Sequence, residues 1–490
     1  HGDYDVDGVT ATALLFFTLR NFGIEAVYYI PDRLTEGYGL GSSGVEEALN
    51  IKADLVITVD CGISSHEEVD ALNKHGVDVI ITDHHEPPKV LPKAYSIINP
   101  LQKGCAYPDK HLSGVSIAFK LCEALSSEFH DKNFWRHLDL VALGTIADVA
   151  PIIGENRMLV KEGLKLLKNK GSNKGIKALI EASGMKKDRM GAFEIGFILG
   201  PRINAAGRLG SASMAVELLL TDDDEKAKDL AGKLNEANKE RQRIEKNTLK
   251  EAISKIERDI NFKDHRVIVL HNENWHTGVI GIVASRISDR FNRPAILIST
   301  KDGIGRGSGR SVENFHLFEA LTSCEEFLRE YGGHQYACGL TILEEKLPGF
   351  IKMMNELAQN TMTAESLIPS LFIDMDINLG AIDHKSVEDI AGLEPFGEGN
   401  PEPVFCSRNL RLAQPLRVLK GEHIKFQVTD GNKTFEAIGF GMAKDSDIEL
   451  ALKRNSEFDM AYSVSLNTWQ GINAIQLKIE DIKPSELCRP

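Results

Sequence analysis

The sequence lacks three features: a pattern of paired cysteines, a long apolar run and an excess of positive charge. Its seven cysteines are odd in number and include no Cys-x-x-Cys pair, so neither a zinc ribbon nor a disulfide framework is indicated, and we expect reduced, cytoplasmic thiols. No apolar run is long enough to cross a bilayer, which predicts a soluble protein with no membrane partner. No signal peptide is visible.

The balance of charge limits how the chain could bind nucleic acid. A formal net charge of -14 argues against coating of nucleic acid through overall charge. It leaves room for a local basic groove, because affinity for phosphates depends on where Lys and Arg are placed. One candidate groove is the stretch 156–177, which sets one acid, Glu162, against seven cations: Arg157, Lys161, Lys165, Lys168, Lys170, Lys174 and Lys177. A solvated helical face explains this stretch at least as well.

The first eight residues contain three carboxylates at alternating positions, Asp3, Asp5 and Asp7, with Gly8 behind them. Residues two apart in an extended segment point the same way, so these carboxylates would crowd negative charge onto one surface. Such crowding indicates a bound cation, although a solvated acidic turn is the simpler alternative for this stretch alone. The chain begins with His1 rather than Met and no strand precedes the motif, so we expect that an N-terminal portion is missing.

Two apolar runs end abruptly in acids or histidines. The run 53–59 stops at Asp60, and the run 77–82 stops at Asp83-His84-His85, with helical periodicity over 64–75 between them. This alternation predicts a parallel α/β sheet, whose ligand site lies beyond the carboxyl ends of its strands. The acids and histidines of these motifs are therefore expected to converge.

A single acid, Asp148, interrupts the apolar stretch 142–151. Burying an isolated carboxylate is costly unless it is paired, hydrogen-bonded or bound to a metal. Asp148 therefore either joins the predicted metal site or caps its segment before Pro151.

Three later stretches, 200–208, 303–311 and 331–339, combine glycine or other small residues with groups that bind phosphate. Small residues let a ligand approach the backbone, and the guanidinium of arginine matches the geometry of a phosphate. The alternatives are arginines that pair with carboxylates to fix a turn and a histidine that is merely packed. The candidate phosphate-binding residues are Arg202, Asn204, Arg208, Arg306, Ser308, Arg310, Gly332, Gly333 and His334.

Four blocks, in the same order, resemble the signature motifs of the DHH phosphoesterase superfamily: 3–8, 58–62, 83–85 and 144–151. Within that superfamily, the blocks 2–10 and 200–208 resemble the RecJ branch, which consists of single-stranded-DNA-specific exonucleases. The glycine-rich stretch and the Gly-Gly-His stretch that follow look like those of the DHH-associated domain. The resemblance covers essentially the whole chain.

The resemblance implies hydrolysis of a phosphodiester with two divalent ions. The mixture of carboxylate and imidazole ligands suits Mn²⁺ better than Mg²⁺. We expect Asp60 to bridge the ions, and Asp60, His84, His85 and Asp148 to be the catalytic residues, with His85 orienting or protonating phosphate oxygens. His1 occupies a place that is often histidine in the superfamily, but we do not include it among the expected metal ligands. The implied metal ligands are Asp3, Asp5, Asp7, Asp60, His84 and Asp148.

The predicted fold class is α/β: a parallel-sheet DHH domain is joined by a long helix to a second α/β domain, the DHH-associated domain, and a small β-barrel (OB-fold) follows. The long helix is predicted because the acids after Thr221 suit a helix start and apolar residues recur on one side. The predicted bounds are 1–222 for the DHH domain, 223–260 for the connecting helix, 261–365 for the substrate-binding DHH-associated domain, 366–402 for a linker and 403–487 for the barrel.

The barrel is predicted from a change to period two, as in Ile424, Phe426 and Val428, followed by a turn at 430–433. OB-folds bind single strands through basic grooves and aromatic stacking. The candidate contacts are Arg417, Lys420, Lys425, Phe440 and Trp469.

The expected function is a metal-dependent exonuclease that degrades single-stranded DNA from the 5′ end to mononucleotides, in DNA repair and recombination. Its expected partners are single-stranded DNA, a helicase and a single-strand-binding protein. One alternative is an oligoribonuclease or cyclic-dinucleotide phosphodiesterase of the same superfamily, which the trailing barrel disfavours. A non-catalytic replication scaffold is disfavoured because every motif acid and histidine is present, and a pyrophosphatase because of the chain length and the added modules.

Overall fold

The structure is a computed structural model that describes residues 1–33, 35–131, 134–168, 173–185, 190–444, 448, 452, 457–469 and 472–485. The chain divides into two compact units, His1–Pro369 and Ser370–Pro490. Residues 370–402, predicted to belong to a linker, therefore lie within the second unit. Among the described residues, no helix is both long and apolar enough to cross a membrane.

The first unit opens with a parallel sheet of three strands in the order β1-β2-β3. Val59 pairs with Thr82, and Thr82 pairs with Ile98, so the three strands end at one edge. A bridge between Gly2 and Val59 adds the first residues of the chain to the same edge. The strands are β1 (Leu55–Val59), β2 (Asp78–Thr82) and β3 (Ser96–Ile98), and the first helices are α1 (Val6–Asn21), α2 (Ser42–Asn50), α3 (His66–Lys74), α4 (Gly114–Glu128) and α5 (Leu138–Ala147).

Helix α1 is the centre of the first core. Its residues are apolar or small on nearly all sides, which is the pattern of a buried helix, and Val9, Ala13 and Leu14 are fully buried. It packs against α4 and α5. The start of α1 is therefore fixed between the sheet edge and two other helices, and this start carries Asp5 and Asp7.

A helical region follows, and it ends in a long helix. Its elements are α6 (Gly154–Lys168), α7 (Lys174–Ser183), α8 (Ala192–Glu194), a π-helical turn (Ile195–Leu199), α9 (Gly200–Leu209), α10 (Ser213–Leu220) and α11 (Asp224–Asp259). Asp223 caps α11 by accepting hydrogen bonds from the backbone N–H groups of Glu225 and Lys226. Helix α11 packs on α7, α9 and α12 (Thr277–Phe291), so it joins the two α/β parts of this unit.

The second α/β part is a five-stranded sheet in the order β4-β5-β6-β8-β7. Its β4–β5 pair is parallel with α12 as the crossover, and the remaining pairs are antiparallel. The strands are β4 (Ile268–Asn272), β5 (Ala295–Lys301), β6 (Ile304–Arg310), β7 (Leu328–Gly333) and β8 (Ala337–Leu343), with helices α13 (Leu317–Thr322) and α14 (Leu347–Thr361).

The second unit is built on one sheet that closes on itself. The strand order is β11-β12-β13-β15-β14-β10-β9, and an additional pairing of β12 with β10 completes a barrel. Ile424, Phe426 and Val428 point into its core, as their alternation predicts. The elements are β9 (Met375–Asp376), α15 (His384–Ala391), β10 (Phe405–Leu412), β11 (Arg417–Leu419), β12 (His423–Thr429), β13 (Thr434–Gly439), β14 (Phe458–Trp469) and β15 (Ile472–Pro484).

Candidate metal centre and phosphate-binding cavity

The sheet edge of the first unit brings the acids and histidines together. Asp60 follows β1 in a left-handed conformation with φ of 62°, and its backbone N–H donates to the carbonyl of Thr82 across the sheet. Only a small fraction of non-glycine residues adopt this conformation, in which the chain turns sharply at the strand end. Helix α4 begins against Asp60: a Cβ at Gly114 would lie 2.4 Å from the Asp60 Oδ1, so only glycine leaves the carboxylate its place.

The first motif forms the start of α1 rather than an extended strand. Asp5 is the N-cap residue, and its Oδ1 accepts a hydrogen bond from the Gly8 N–H at 3.1 Å. Asp7 lies in the first turn, fully buried, and accepts hydrogen bonds from the backbone N–H groups of Gly114 at 2.6 Å and Val115 at 2.8 Å. The positive N-terminus of α4 therefore holds the Asp7 carboxylate in place.

His84 lies among three carboxylates. Its Nε2 is 3.1 Å from the Asp60 Oδ1, 3.9 Å from the Asp148 Oδ2 and 4.0 Å from the Asp7 Oδ2. Asp148 arrives from a different element, because it is the C-cap residue of α5. Within the described part of the chain, three groups have ligand atoms close enough to share a metal ion: Asp3, Asp5 and Asp60; Asp7, His84 and Asp148; and Asp60, His84 and His85.

The buried atoms of this cluster lack partners and carry unfavourable charge. The Asp3 Oδ1 is buried and has no hydrogen-bond partner among the described residues. The Asp60 Oδ1 and the His84 Nε2 are also buried, and although they lie 3.1 Å apart they are not aligned for a hydrogen bond and have no other partner among those residues. Burial and the neighbouring carboxylates raise the pKa of Asp7 to about 7 and raise the pKa values of Asp60 and Asp148. Burial lowers the pKa of His84 to about 4, so its imidazole is neutral and able to act as a ligand. Unpartnered carboxylate oxygens beside a neutral imidazole fit a divalent cation.

His85 takes part in a separate hydrogen-bond network at the rim. Its Nδ1 lies 2.8 Å from the Asp83 Oδ1 and 3.0 Å from the Tyr38 hydroxyl, which also donates to the Asp60 carbonyl at 3.1 Å. Asp83 is itself fixed by the backbone N–H groups of Ile63 and His85. Burial opposes the charged imidazole, but the hydrogen bond and charge of Asp83 outweigh it and raise the pKa of His85.

A cavity of about 420 Å³ opens beside the acidic cluster, and three arginines line it. Arg33 comes from the loop after α1, Arg208 from the end of α9 and Arg310 from the end of β6. Burial and the charges of its arginine neighbours lower the pKa of Arg208, whose Nη1 donates to the carbonyl of Gly278 at 3.1 Å. Asn204, one turn before Arg208, also lines the cavity. Guanidinium groups gathered beside a metal-ligand cluster suit a phosphate ester.

The other predicted phosphate-binding residues lie outside the lining of this cavity. Arg202 donates to Asn235 of α11 at 3.0 Å and to the carbonyl of Ile198, so its guanidinium is directed away from the cavity. Arg306 is exposed and lies on β6, the strand that also carries Ser308 and Arg310. In the sheet, Gly332 pairs with Gly339 and Gly333 with Cys338, and the His334 N–H donates to the Ala337 carbonyl. Since Ala337 of β8 pairs with Arg310, β8 separates Gly332, Gly333 and His334 from the strand end that carries Arg310.

Four contributors were absent from the predicted site residues: Arg33, Tyr38, Asp83 and the backbone of Gly114. The signal for Asp83 was its place in the Asp-His-His block. Arg33 and Tyr38 stand in the loop between α1 and α2, which contains four glycines, and there a tyrosine and an arginine are a weak sign of function. Gly114 gave no local signal, because its role depends on contacts with Asp7 and Asp60, which are distant in sequence.

The barrel presents several of its predicted contacts on adjacent strands. Arg417 of β11 pairs with Lys425 of β12, and Lys420 is exposed at the turn between these strands. Phe440 is exposed just after β13, and its ring meets that of His423 edge to face. Lys425 forms an ion pair with Glu436. The side chain of Trp469 lies outside the described residues.

The basic stretch after Asn156 is partly neutralised. Lys165 pairs with Glu162 at 2.6 Å, and Lys174 pairs with Asp224 at 3.3 Å. Lys170 lies outside the described residues. The solvated helical face is therefore an adequate account of the described part of this stretch.

Family models match three parts of the chain. The DHH family N-terminal domain matches residues 1–145, the DHHA1 domain matches residues 264–360, and the RecJ OB domain matches residues 373–481. The acidic cluster falls mostly within the first match and Arg310 within the second. Together with the fold, these matches place the chain among proteins that combine a DHH domain, a DHHA1 domain and an OB domain.

Comparison with individual proteins identifies the branch. The chain is 38% identical over 489 residues to the single-stranded-DNA-specific exonuclease RecJ of Bacillus subtilis, and this covers 99% of the chain and 61% of that relative. It is 37% identical to RecJ of Dickeya dadantii, with 99% and 87% covered. The crystal structure of RecJ from Thermus thermophilus in complex with Mn²⁺ matches with a TM-score of 0.85 at 35% identity, with 99% and 68% covered. The chain belongs to the RecJ family of single-stranded-DNA-specific exonucleases.

Proposed function

We propose that this chain is a metal-dependent exonuclease that hydrolyses the phosphodiester bonds of single-stranded DNA. The observation that carries the proposal is the buried cluster that includes Asp3, Asp60 and His84, whose polar atoms lack hydrogen bonds and which lies beside a cavity lined by arginines. The chain spans 61% of its Bacillus subtilis relative, so the activity of the whole relative is carried over as part of this proposal.

Two groups of residues would hold the metal ions. Asp3, Asp5 and Asp60 form one group, and Asp7, His84 and Asp148 form the other. The Asp60 Oδ1, 3.1 Å from the His84 Nε2, lies between the two groups, which supports the predicted bridging role. Divalent ions held here, with Mn²⁺ preferred to Mg²⁺, supply Lewis acidity and lower the pKa of water. The RecJ protein of Thermus thermophilus has been solved both with Mn²⁺ and with Mg²⁺.

Residues around the cavity would bind and orient the phosphodiester. Arg33, Arg208 and Arg310 line the same cavity as several of the carboxylates and would neutralise the phosphate oxygens. His85 uses Nδ1 for Asp83, which leaves Nε2 to donate a proton to a phosphate oxygen. Asp83 and Tyr38 act through His85 by fixing the plane of its ring.

The polarity, the products and the biological role of the proposed exonuclease rest on its family resemblance. Degradation from the 5′ end, release of mononucleotides and a role in DNA repair and recombination are implied by the RecJ relationship. The partners we propose on the same ground are a helicase that supplies unwound strand and a single-strand-binding protein that covers it. A cytoplasmic location is supported by the cysteine pattern alone.

The deciding experiment compares 5′-labelled and 3′-labelled single strands of about 30 nucleotides, longer than the stretch one OB-fold covers. We expect Mn²⁺-dependent release of labelled mononucleotide first from the 5′-labelled strand, with no release in chelator and a spared duplex. Mononucleotide released first from the 3′ label would refute the predicted polarity. Cleavage confined to a dinucleotide control would refute the exonuclease and move the chain to the small-nucleotide branch of the superfamily.

A further inference from the structure

Two stacked phenylalanines lie on the surface close to the acidic cluster. Phe193 and Phe197 have ring centroids 4.8 Å apart at an interplanar angle of 28°, and they are 62% and 71% exposed. A large aromatic ring in water forgoes the free energy that burial would give it. Two such rings side by side form an apolar patch, which marks a binding surface more often than chance exposure does.

The helical stretch that carries these rings continues into the cavity. Residues 192–209 run without a break through α8, the π-helical turn and α9, so Phe193 and Phe197 lie one turn apart and Asn204 and Arg208 lie one turn apart further along. Asn204 and Arg208 line the cavity. Phe197 and Arg208 are separated by eleven residues, or about 16 Å along the helix. The aromatic pair and the phosphate-binding groups therefore belong to one helical stretch.

The same stretch rests on the helix end that delivers Asp148. A Cβ at Gly200 would lie 3.1 Å from the Ala147 Cβ, and a Cβ at Gly196 would lie 3.8 Å from the Ile146 Cγ2. This close approach fixes the π-helical turn against the C-terminal end of α5. π-helical turns inside α-helices are rare and occur frequently at functional sites. The exposed rings are therefore held at a set distance from the acidic cluster.

The chemical groups on this helical stretch indicate which kind of ligand the two phenylalanines bind. A protein partner would be met by an apolar patch with a polar rim, but here the helical stretch that carries the patch also carries guanidinium and amide groups that suit phosphates. A single-stranded nucleic acid offers both components, because its bases expose flat π faces while its backbone carries phosphates. Aromatic rings bind such bases whatever their sequence, since every base has a π face. In a duplex these faces are stacked on one another and inaccessible to the rings.

We propose that Phe193 and Phe197 form a platform on which unpaired bases of the substrate strand stack while its phosphates enter the cavity. The proposal rests on the function proposed above and adds a determinant of single-strand specificity inside the DHH part of the chain. It predicts that the platform contributes to binding of the strand and contributes little to the chemical step.

The first test measures the affinity of the full chain for a fluorescent single strand in chelator, which prevents hydrolysis. We expect the double substitution Phe193→Ala and Phe197→Ala to weaken binding about tenfold. A matched control exists in Phe22 and Phe129, a second stacked pair at the far end of α1, with centroids 4.3 Å apart and Phe129 53% exposed. Phe22→Ala with Phe129→Ala should leave the affinity unchanged. Equal affinities for the wild type and the Phe193/Phe197 variant would overturn the proposal.

The second test places one abasic nucleotide at each position of the strand in turn. If bases stack on the platform, an abasic nucleotide at one or two positions weakens binding to the wild type, and the Phe193/Phe197 variant is insensitive to the same positions. The affinities of the variant and the wild type are compared for each abasic strand. If the variant binds every abasic strand more weakly than the wild type by the same factor, the rings do not contact bases, and the proposal is overturned. Hydrolysis of the unmodified strand with Mn²⁺ is measured in parallel. A wild type that binds but does not cleave would refute the proposed function and leave the platform standing.

Discussion

Asp60 is the residue with the most demanding surroundings in the acidic cluster. It stands in a left-handed conformation, its Oδ1 is buried without a partner, and Gly114 is required for its side chain to fit. Each of these features is unfavourable for a structural aspartate and is compatible with a metal ligand. The cost of this arrangement is offset only when a cation is present.

We therefore expect Asp60→Asn to lower the rate of hydrolysis at least about hundredfold without unfolding the protein. The substitution keeps the size of the side chain and removes one of several crowded negative charges, so the melting temperature of the metal-free protein should not fall. Rates with saturating Mn²⁺ and thermal unfolding in chelator measure the two effects. Full activity in this variant would refute the assignment of Asp60 as a metal ligand.

Arg310 is expected to contribute by binding phosphate. Arg310→Ala removes one of three guanidinium groups from the cavity, so KM for a single strand should rise about tenfold and the dependence of binding on salt should become shallower by about one ion. Arg329→Ala is the matched control, since Arg329 is exposed on β7 of the same sheet. A variant of Arg310 with unchanged salt dependence would contradict the proposed phosphate contact.

The pH dependence of the reaction should report on His85. Because Asp83 raises the pKa of His85, the imidazole stays protonated to higher pH than an isolated histidine would. Asp83→Asn removes that charge, so the decline of kcat/KM with rising pH should begin at a lower pH, and the rate near neutrality should fall about tenfold. An unchanged pH profile in this variant would show that His85 does not act as a proton donor.

At the scale of elements, the sequence predicts those strands and helices that follow from patterns of neighbouring residues. Apolar runs that end at Asp60 and Asp83 predicted β1 and β2 and their common edge, because parallel strands align their carboxyl ends. The resemblance to RecJ and the α/β fold class are confirmed by the family matches and by the RecJ structure. The alternation of the first motif predicts an extended segment, but Asp5 caps helix α1 and Asp7 lies in its first turn, where acids are favourable.

What the sequence could not give depends on contacts between distant elements. Arg33 reaches the cavity from a loop, and the N-terminus of α4 meets Asp7 across more than a hundred residues. Helix α11 gives a second example. Its apolar residues predicted one continuous apolar side, but the buried face is polar at its middle, where Asn238, Arg241 and Glu245 are buried. Periodicity detects apolar faces and not buried ion pairs.

This ion pair gives a prediction at the scale of the element. The Glu245 carboxylate binds Arg241 at 2.7 Å within α11 and Arg286 of α12 at 2.6 Å, so it connects the long helix to the second α/β part. Glu245→Ala leaves the buried Arg241 without its carboxylate, and we expect a loss of about 3 kcal/mol in the free energy of unfolding, measured with urea. Glu240→Ala, which breaks an exposed pair with Arg243 on the same helix, should leave the free energy of unfolding nearly unchanged because solvent screens that pair. Similar losses in both variants would refute a special role for the buried pair.

At the scale of the whole molecule, an acidic chain is proposed to bind a polyanion. The acids that contribute to the net charge of -14 include those of the metal centre, whereas three arginines proposed to bind phosphate are gathered in one cavity. Binding must therefore come from local sites rather than from overall attraction. The two compact units offer two kinds of site, a catalytic cavity in His1–Pro369 and a barrel with exposed basic and aromatic residues in Ser370–Pro490.

This division predicts that the first unit cleaves the phosphodiester and that the barrel contributes to the binding of long strands. The chain 1–369 contains the whole acidic cluster, the cavity and its own cores, so it should fold and cleave a dinucleotide at a rate close to that of the full chain. It should lose at least about tenfold in kcat/KM on a strand of about 30 nucleotides, because an OB-fold contributes binding over roughly 4–16 nucleotides. The ratio of kcat/KM for the two substrates is the measurement. Equal loss on both substrates would mean that the barrel supports the fold of the catalytic unit, whereas an unchanged ratio with full activity would remove the barrel from substrate binding.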